Sequence, residues 1–279
     1  MEKPLSASGY TAEKTERAEQ VLLEVWSHLD DYHEHLVLVG GLAPRYLVPQ
    51  DVKGVPKHCG TLDVDFAVSL AVADVKAYTG IRATLERLGL EPGVNVRGNE
   101  QRHSFVMKDA DGPVIVDFLT TAYDGPPEVV RAVERQLSAI QVEGLGLAFQ
   151  DPVLVAIEGK ALSGGQMKAK MRVCRPLPFV VLKALAFEKR REGKDAYDLV
   201  YILQRARGGA VSLAQAVRKE EREAAAFVHA VETLKDNFAS PVHDGPIRCS
   251  RFLGDSLDAG NQAFAAVQEF LQALPSPDV

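Results

Sequence analysis

The stretch GTLDVDFAV, Gly60 to Val68, constrains this chain more than any other, because it sets Asp63 and Asp65 into a run that otherwise reads as a buried strand. Side chains alternate faces along a strand, so the two carboxylates share one face while Leu62, Val64 and Phe66 point to the other. Neighbouring carboxylates repel, and taking both out of water is costly unless a cation compensates. Oxygen-only ligands favour Mg²⁺ or Mn²⁺ over zinc. Asp117, late in the strand-like run VIVDFLT, would add a third carboxylate and complete a two-ion site suited to phosphoryl or nucleotidyl chemistry. Two acids at a strand end in water are the alternative this feature leaves open.

Glycines stand where phosphate would need them. HLVLVGG reads as a short buried strand ending at Gly40 and Gly41, with LAPRYL opening a helix behind it. Bare backbone amides ahead of a helix can receive phosphate, although a tight turn has the same signature.

The other elements follow from periodicity and breakers. Residues 11 to 30 predict a helix behind a capping Thr, and 48 to 60 a Pro- and Gly-rich loop. The aspartate strand spans 62 to 68, and a helix over 72 to 88 ends at Gly89. Strands near 102 to 108 and 113 to 119 form a hairpin about Asp111 and Gly112. Short apolar runs between 148 and 174 predict strand pieces or a transition, with ALSGGQMK a hairpin turn and not a phosphate loop. Helices are expected at 177 to 191, 194 to 206, 211 to 235 with interruptions, and 256 to 273, with 239 to 250 a loop. The expected class is α/β (α+β): a small mixed sheet in residues 1 to 150, then a mainly helical domain from 151 to 279.

With 46% hydrophobic residues in 279, the chain can build a real core. No run approaches the ~20 apolar residues of a membrane span, and the polar start MEKPLSASGYTAEKTE is unlike a leader peptide, so a cytoplasmic protein with no membrane partner is expected. Cys59, Cys174 and Cys249 are scattered and read as reduced thiols. His33 and His35 form an HxH without a third ligand and read as surface residues. The net charge of −6 conceals a segment from Lys160 to Arg207 with twelve basic and four acidic residues, a balance suited to a polyphosphate or an RNA backbone, or to a solvated helix face.

In PFVVLKALAFEKRREGKDAYDLVYIL, Pro178 to Leu203, Asp195 and Asp198 stand three apart near a helix start and share one face. A break at Gly193 would fold this helix back so that Lys183 meets them; an exposed salt-bridge network is the competing account.

Taken in order, VGG, TLDVDFAV and VIVDFLT resemble the nucleotidyltransferases of the DNA polymerase β-like superfamily, and the stretch ending in KDAYDL resembles the AbiEii/AbiGii-type toxin nucleotidyltransferases. That resemblance covers most of residues 36 to 205. It implies a polymerase β-like domain in which Asp63, Asp65 and Asp117 hold Mg²⁺ or Mn²⁺, with Asp117 a ligand or the base, and Gly40, Gly41 and Thr61 contact an NTP. It further implies that Lys183 holds the triphosphate, that Asp198 or Asp195 orients Lys183 or contacts nucleotide or acceptor, and that Lys194 joins them. The resemblance departs at Cys59, where such proteins carry Arg; Arg45 and Lys57 are the candidates to replace it. The implied role is a bacterial toxin of a toxin–antitoxin or phage-defence system that transfers NMP to an acceptor, tRNA foremost, with a cognate antitoxin as partner. Protein nucleotidylation, or a non-catalytic nucleotide- or RNA-binding regulator, are the other readings.

Overall fold

The computed structural model describes residues 3–50, 53, 56–69, 80–108, 112–121, 130–132 and 138–275. The chain divides into two compact units: Thr11–Tyr46 with Gly60–Cys174, and Met1–Tyr10 with Leu47–Cys59 and Arg175–Val279.

The first unit is built on a sheet. Its elements are α1 (Ala12–Ser27), β1 (Leu36–Val39), α2 (Ala43–Leu47), β2 (Asp63–Val68), α3 (Ile81–Arg87), β3 (Leu90–Val94), β4 (Glu100–Met107), β5 (Val114–Thr121), β6 (Val130–Ala132), β7 (Ser138–Val142), β8 (Val153–Lys160) and β9 (Gln166–Val173). Thr11 caps α1 as expected, its hydroxyl accepting from the Lys14 N–H at 3.4 Å. Among the described residues the strands form one mixed sheet of order β3-β4-β5-β2-β1-β9-β8, and β7 pairs with β5 and β6. β1 runs antiparallel to β2, and β2 runs parallel to β5.

Register fixes which side chains share a face. Leu38, Phe66 and Phe118 are successive partners across β1, β2 and β5, and all are fully buried. α1 packs over them, with the Trp26 ring 6.1 Å from Phe66 and Phe66 6.0 Å from Phe118. The Trp26 indole N–H also donates to the Lys170 carbonyl at 3.1 Å, tying α1 to β9. Each such aromatic stabilises the unit by about 1.5–3 kcal/mol through burial. The core therefore takes one face of the sheet and leaves the aspartates on the other.

Several expectations change here. The strand pieces between 148 and 174 are the long antiparallel hairpin β8–β9, which belongs to the sheet, so the sheet unit runs to Cys174 where a boundary at 150 was expected. β9 reaches the sheet interior by pairing parallel with β1 at Leu38 and Val173. Of the helix expected over 72 to 88, α3 accounts for 81 to 87; residues 70–79 lie outside the described residues, as does Asp111 of the hairpin turn. β4 and β5 pair antiparallel as that hairpin requires. His33 stacks on Trp26 at 3.9 Å and bonds its carbonyl through Nε2 at 2.7 Å, a packing role with no ligand implied.

The second unit is helical: α4 (Pro176–Arg190), α5 (Gly193–Arg205), α6 (Gly209–Gln215), α7 (Lys219–Glu223), α8 (Ala225–Asn237), α9 (Asp244–Phe252) and α10 (Leu257–Ala273). α4 ends at Arg191 in the left-handed conformation, φ 54°, and the chain reverses so that α5 runs back along α4. α5 needs Gly193 at its start, because a Cβ there would lie 2.7 Å from the Arg248 carbonyl on α9. The loop expected over 239 to 250 contains most of α9: Gly245 and Pro246 sit in its first turn, where the missing proline N–H costs nothing. The mixed sheet and helical C-terminal part give the α/β class expected.

Candidate active site

Asp63, Asp65 and Asp117 lie on one face of the sheet. Asp65 on β2 is the direct register partner of Asp117 on the parallel β5, and Asp63 sits two residues earlier on the same face as Asp65. Asp63 is 5% exposed, whereas Asp65 and Asp117 are half-buried. β4 extends the row, with Ser104 opposite Asp117.

The glycine pair is fitted to this row. Val39 of β1 opposes Asp65, and the chain leaves β1 at Gly40 with φ +67°, a conformation that glycine adopts without strain. A Cβ on Gly40 would overlap the Asp65 carboxylate, and one on Gly41 would come 2.7 Å from Thr61 Oγ1. Thr61 accepts from the Asp63 N–H at 3.4 Å. Backbone, threonine and carboxylates thus meet within one unit.

No group of three His, Cys, Asp or Glu side chains among the described residues converges into a metal site. The row still fits a hard divalent ion. Its donors are all oxygen, and Mg²⁺ is usually held by one or two carboxylates together with substrate phosphates and water, so Asp65 beside Asp117 suffices on the protein's side.

The helical unit holds a second acidic cluster. Lys183 Nζ on α4 lies 3.0 Å from Asp195 Oδ1 and 2.7 Å from Asp198 Oδ2 on α5. Arg190 binds Asp195 at 2.7 Å, and Lys194 pairs with Asp198 one helical turn on. His58, from the loop before β2, closes the cluster with Nε2 2.9 Å from Asp198 Oδ1, both side chains fully buried. Tyr197 and Tyr201 flank the imidazole, with ring centroids at 5.2 and 4.9 Å. Burial alone would raise the Asp198 carboxyl, but the Lys183 and Lys194 cations hold it well below the usual range. Burial works against the Lys183 ammonium too, and Asp198 with Asp195 overcome it and push its pKa up. Burial, reinforced by Lys194, lowers His58 to about 4 against the pull of Asp198.

Sequence reasoning missed His58. Its signal was a histidine beside Cys59, where the resembling proteins carry Arg, but nothing local pointed to a partner 140 residues away. Of the two replacements considered for that Arg, Arg45 is committed to Glu19 of α1, Nε to Oε1 at 2.6 Å. Cys59 bonds through its backbone N–H to Tyr197 at 3.0 Å, and burial pushes its thiol up to about 11.

The basic segment also looks different once folded. Lys183, Arg190 and Lys194 are taken up by this cluster, Arg175 by Glu221, Arg191 by Asp244 and Lys168 by Glu158. At least six of its twelve cations therefore serve ion pairs within the chain.

A family model of nucleotidyltransferases matches residues 20–224, which take in both clusters. The chain belongs to that family. It is accordingly a nucleotidyltransferase enzyme, and such enzymes generally use an NTP and a divalent metal. No curated protein matches it. Among solved structures, this nucleotidyltransferase is similar to an antigenic nucleotidyltransferase-like protein from Paracoccidioides brasiliensis, with 15% identity over 77% of this chain and 86% of that one and a TM-score of 0.42. It is also similar to a CdnC:HORMA-deltaN complex from E. coli MS115-1, with 10% identity over 97% and 93% and a TM-score of 0.23. No helix among the described residues is long and apolar enough to cross a membrane.

Proposed function

We propose that this nucleotidyltransferase moves NMP from an NTP to a hydroxyl of an RNA, tRNA foremost, and acts as a toxin of the AbiEii/AbiGii type under the control of a cognate antitoxin. The observation that carries the reading is the pairing of Asp65 with Asp117 on neighbouring strands, with the Gly40 backbone closed over Asp65. Asp63 and Asp65, with Asp117 as a third ligand or as the base, would hold the Mg²⁺ or Mn²⁺, which when bound neutralises phosphate charge and lowers the pKa of the attacking hydroxyl.

In this reading the chain's own groups position and hold charge. Amides at Gly40 and Gly41 receive phosphate oxygens, and Thr61 keeps the turn and the strand start together. The acceptor oxygen bonds to the α-phosphorus as the bond to the bridging oxygen breaks; pyrophosphate leaves, and the hydroxyl proton passes to Asp117 or to water. The ion pairs of Lys183 with Asp195 and Asp198 support an oriented lysine, the role the resemblance gives it.

Incubating the protein with each labelled NTP, Mg²⁺ and total RNA tests the reading. Label is expected on RNA, and Asp65→Asn should slow transfer on the order of 10³-fold, the equivalent of several kcal/mol of transition-state stabilisation. Transfer by Asp65→Asn at the wild-type rate would remove the carboxylates from the chemistry. Label on protein alone would make the acceptor a protein.

A further inference from the structure

The register that aligns the aspartates also assigns a face to every residue of the β8–β9 hairpin. Asp65 shares its face with Val39 of β1, the residue after Leu38. Leu38 is the partner of Val173, so the even-numbered residues of β9 belong with the aspartates and the odd-numbered ones with the core. Those even positions are Lys168, Lys170 and Arg172, and their antiparallel partners on β8 are Glu158, Ala156 and Leu154; Lys160 ends the row opposite Gln166. Lys160, Lys168 and Lys170 are exposed, whereas Ile157 and Met171 on the opposite face are buried beneath α1. Glu158 is the sole acid on these hairpin strands.

We propose that this face of the hairpin is the docking surface for the phosphate backbone of the RNA acceptor, in the same unit and on the same sheet face as the carboxylates. The inference rests on the proposed RNA acceptor. Three observations carry it: charge, spacing and exposure. Lys168, Lys170 and Arg172 recur every second residue, about 6.6–6.8 Å apart along the strand, giving a linear row of cations suited to a linear row of phosphates. Arg172 is anchored to the Glu34 carbonyl and fixes the inner end of the row. Lys168 is paired with Glu158 in an exposed ion pair, which exchanges for a phosphate at little cost. Lys160, Lys168, Lys170 and Arg172 are the members of the basic segment that lie in the sheet unit, the unit that also holds the carboxylates.

The test neutralises Lys160, Lys168 and Lys170 together by K160Q, K168Q and K170Q, beside a control triple K14Q, K219Q and K235Q of equal charge change at exposed sites. Affinity for the RNA that the wild type labels is measured across a salt series, and NTP affinity with Mg²⁺ is measured without RNA. The hairpin triple should lose roughly tenfold or more in RNA affinity, and its salt slope should fall by about 0.7–0.9 for each phosphate it no longer neutralises, while NTP affinity and the control triple match the wild type. Unchanged affinity and slope in the hairpin triple, with the wild type still labelling RNA, would overturn the docking surface and leave the proposed function standing. A wild type that labels protein and binds no RNA would overturn both.

Discussion

The two acidic clusters of this enzyme are held by different means. In the helical unit, Asp195 and Asp198 are locked by side chains, with Lys183, Arg190, Lys194 and His58 all within ion-pair reach. In the sheet unit, Asp65 and Asp117 are placed by strand register, and a glycine backbone closes on Asp65. In a network that carries its own cations, removing one of them leaves a buried carboxylate under-compensated, so the arrangement depends on every charge being in place. A carboxylate row set by backbone pairing keeps its geometry whatever the carboxylates bind, which is what a site for a metal and a triphosphate requires.

The sharpest way to break this contrast is to remove one charge from each cluster and compare stabilities. Lys183→Met strips a cation from two buried acids and should cost about 3 kcal/mol or more of unfolding free energy. Asp65→Asn keeps the side chain's shape beside Asp117 and removes one of two adjacent like charges, so it should cost less stability than Lys183→Met while slowing transfer on the order of 10³-fold. Urea unfolding of both variants at neutral pH decides the matter. Equal destabilisation would mean that the sheet carboxylates are as structurally committed as the helical ones.

A smaller effect separates the glycine closure from a mere turn. Gly40→Ala introduces both a left-handed alanine, φ +67°, and an overlap with Asp65, so it should destabilise by about 2 kcal/mol and also depress transfer by displacing the carboxylate. Gly89→Ala offers a control: φ is +85° but nothing lies within 4 Å, so about 1 kcal/mol of backbone cost is expected with transfer intact. If the two variants lose transfer equally, Gly40 has no particular relation to Asp65.

What the sequence disclosed follows the same division. Strand alternation was enough to put Asp63 and Asp65 on one face, because that period is local, whereas the grouping of Gly40, Gly41, Thr61 and Asp117 with them was implied by the resemblance in the order VGG, TLDVDFAV, VIVDFLT. The fold-back of α5 on α4 was equally legible from Gly193. His58 was not, since its partner is set by tertiary packing. The β8–β9 hairpin was blurred because its solvent face is charged while its buried face is interrupted by Gly159, where a Cβ would lie 2.7 Å from Leu23 of α1. α9 escaped because Gly245 and Pro246 read as breakers anywhere but in a helix's first turn.

The finest distinction concerns His58 and acid. Its folded pKa, about 4, lies below the ordinary value of 6.5, through burial and the Lys194 and Lys183 cations acting against Asp198. Between those two values the unfolded chain takes up a proton that the folded chain refuses. Stability should therefore fall as pH drops from about 6.5 towards 4, by up to ~1.4 kcal/mol per pH unit from this residue. Asp198 does not confound that window: its folded pKa is depressed, so its contribution is complete above the unfolded value of 3.8 and fades below it. His58→Gln keeps an N–H for Asp198 and removes the titration, so its unfolding free energy measured at pH 7, 6 and 5 should run flatter than the wild type's by about one proton. A steeper variant would mean that Asp198 outweighs burial and that the imidazole is charged in the fold, turning the cluster from one closed by its lysines into one completed by His58.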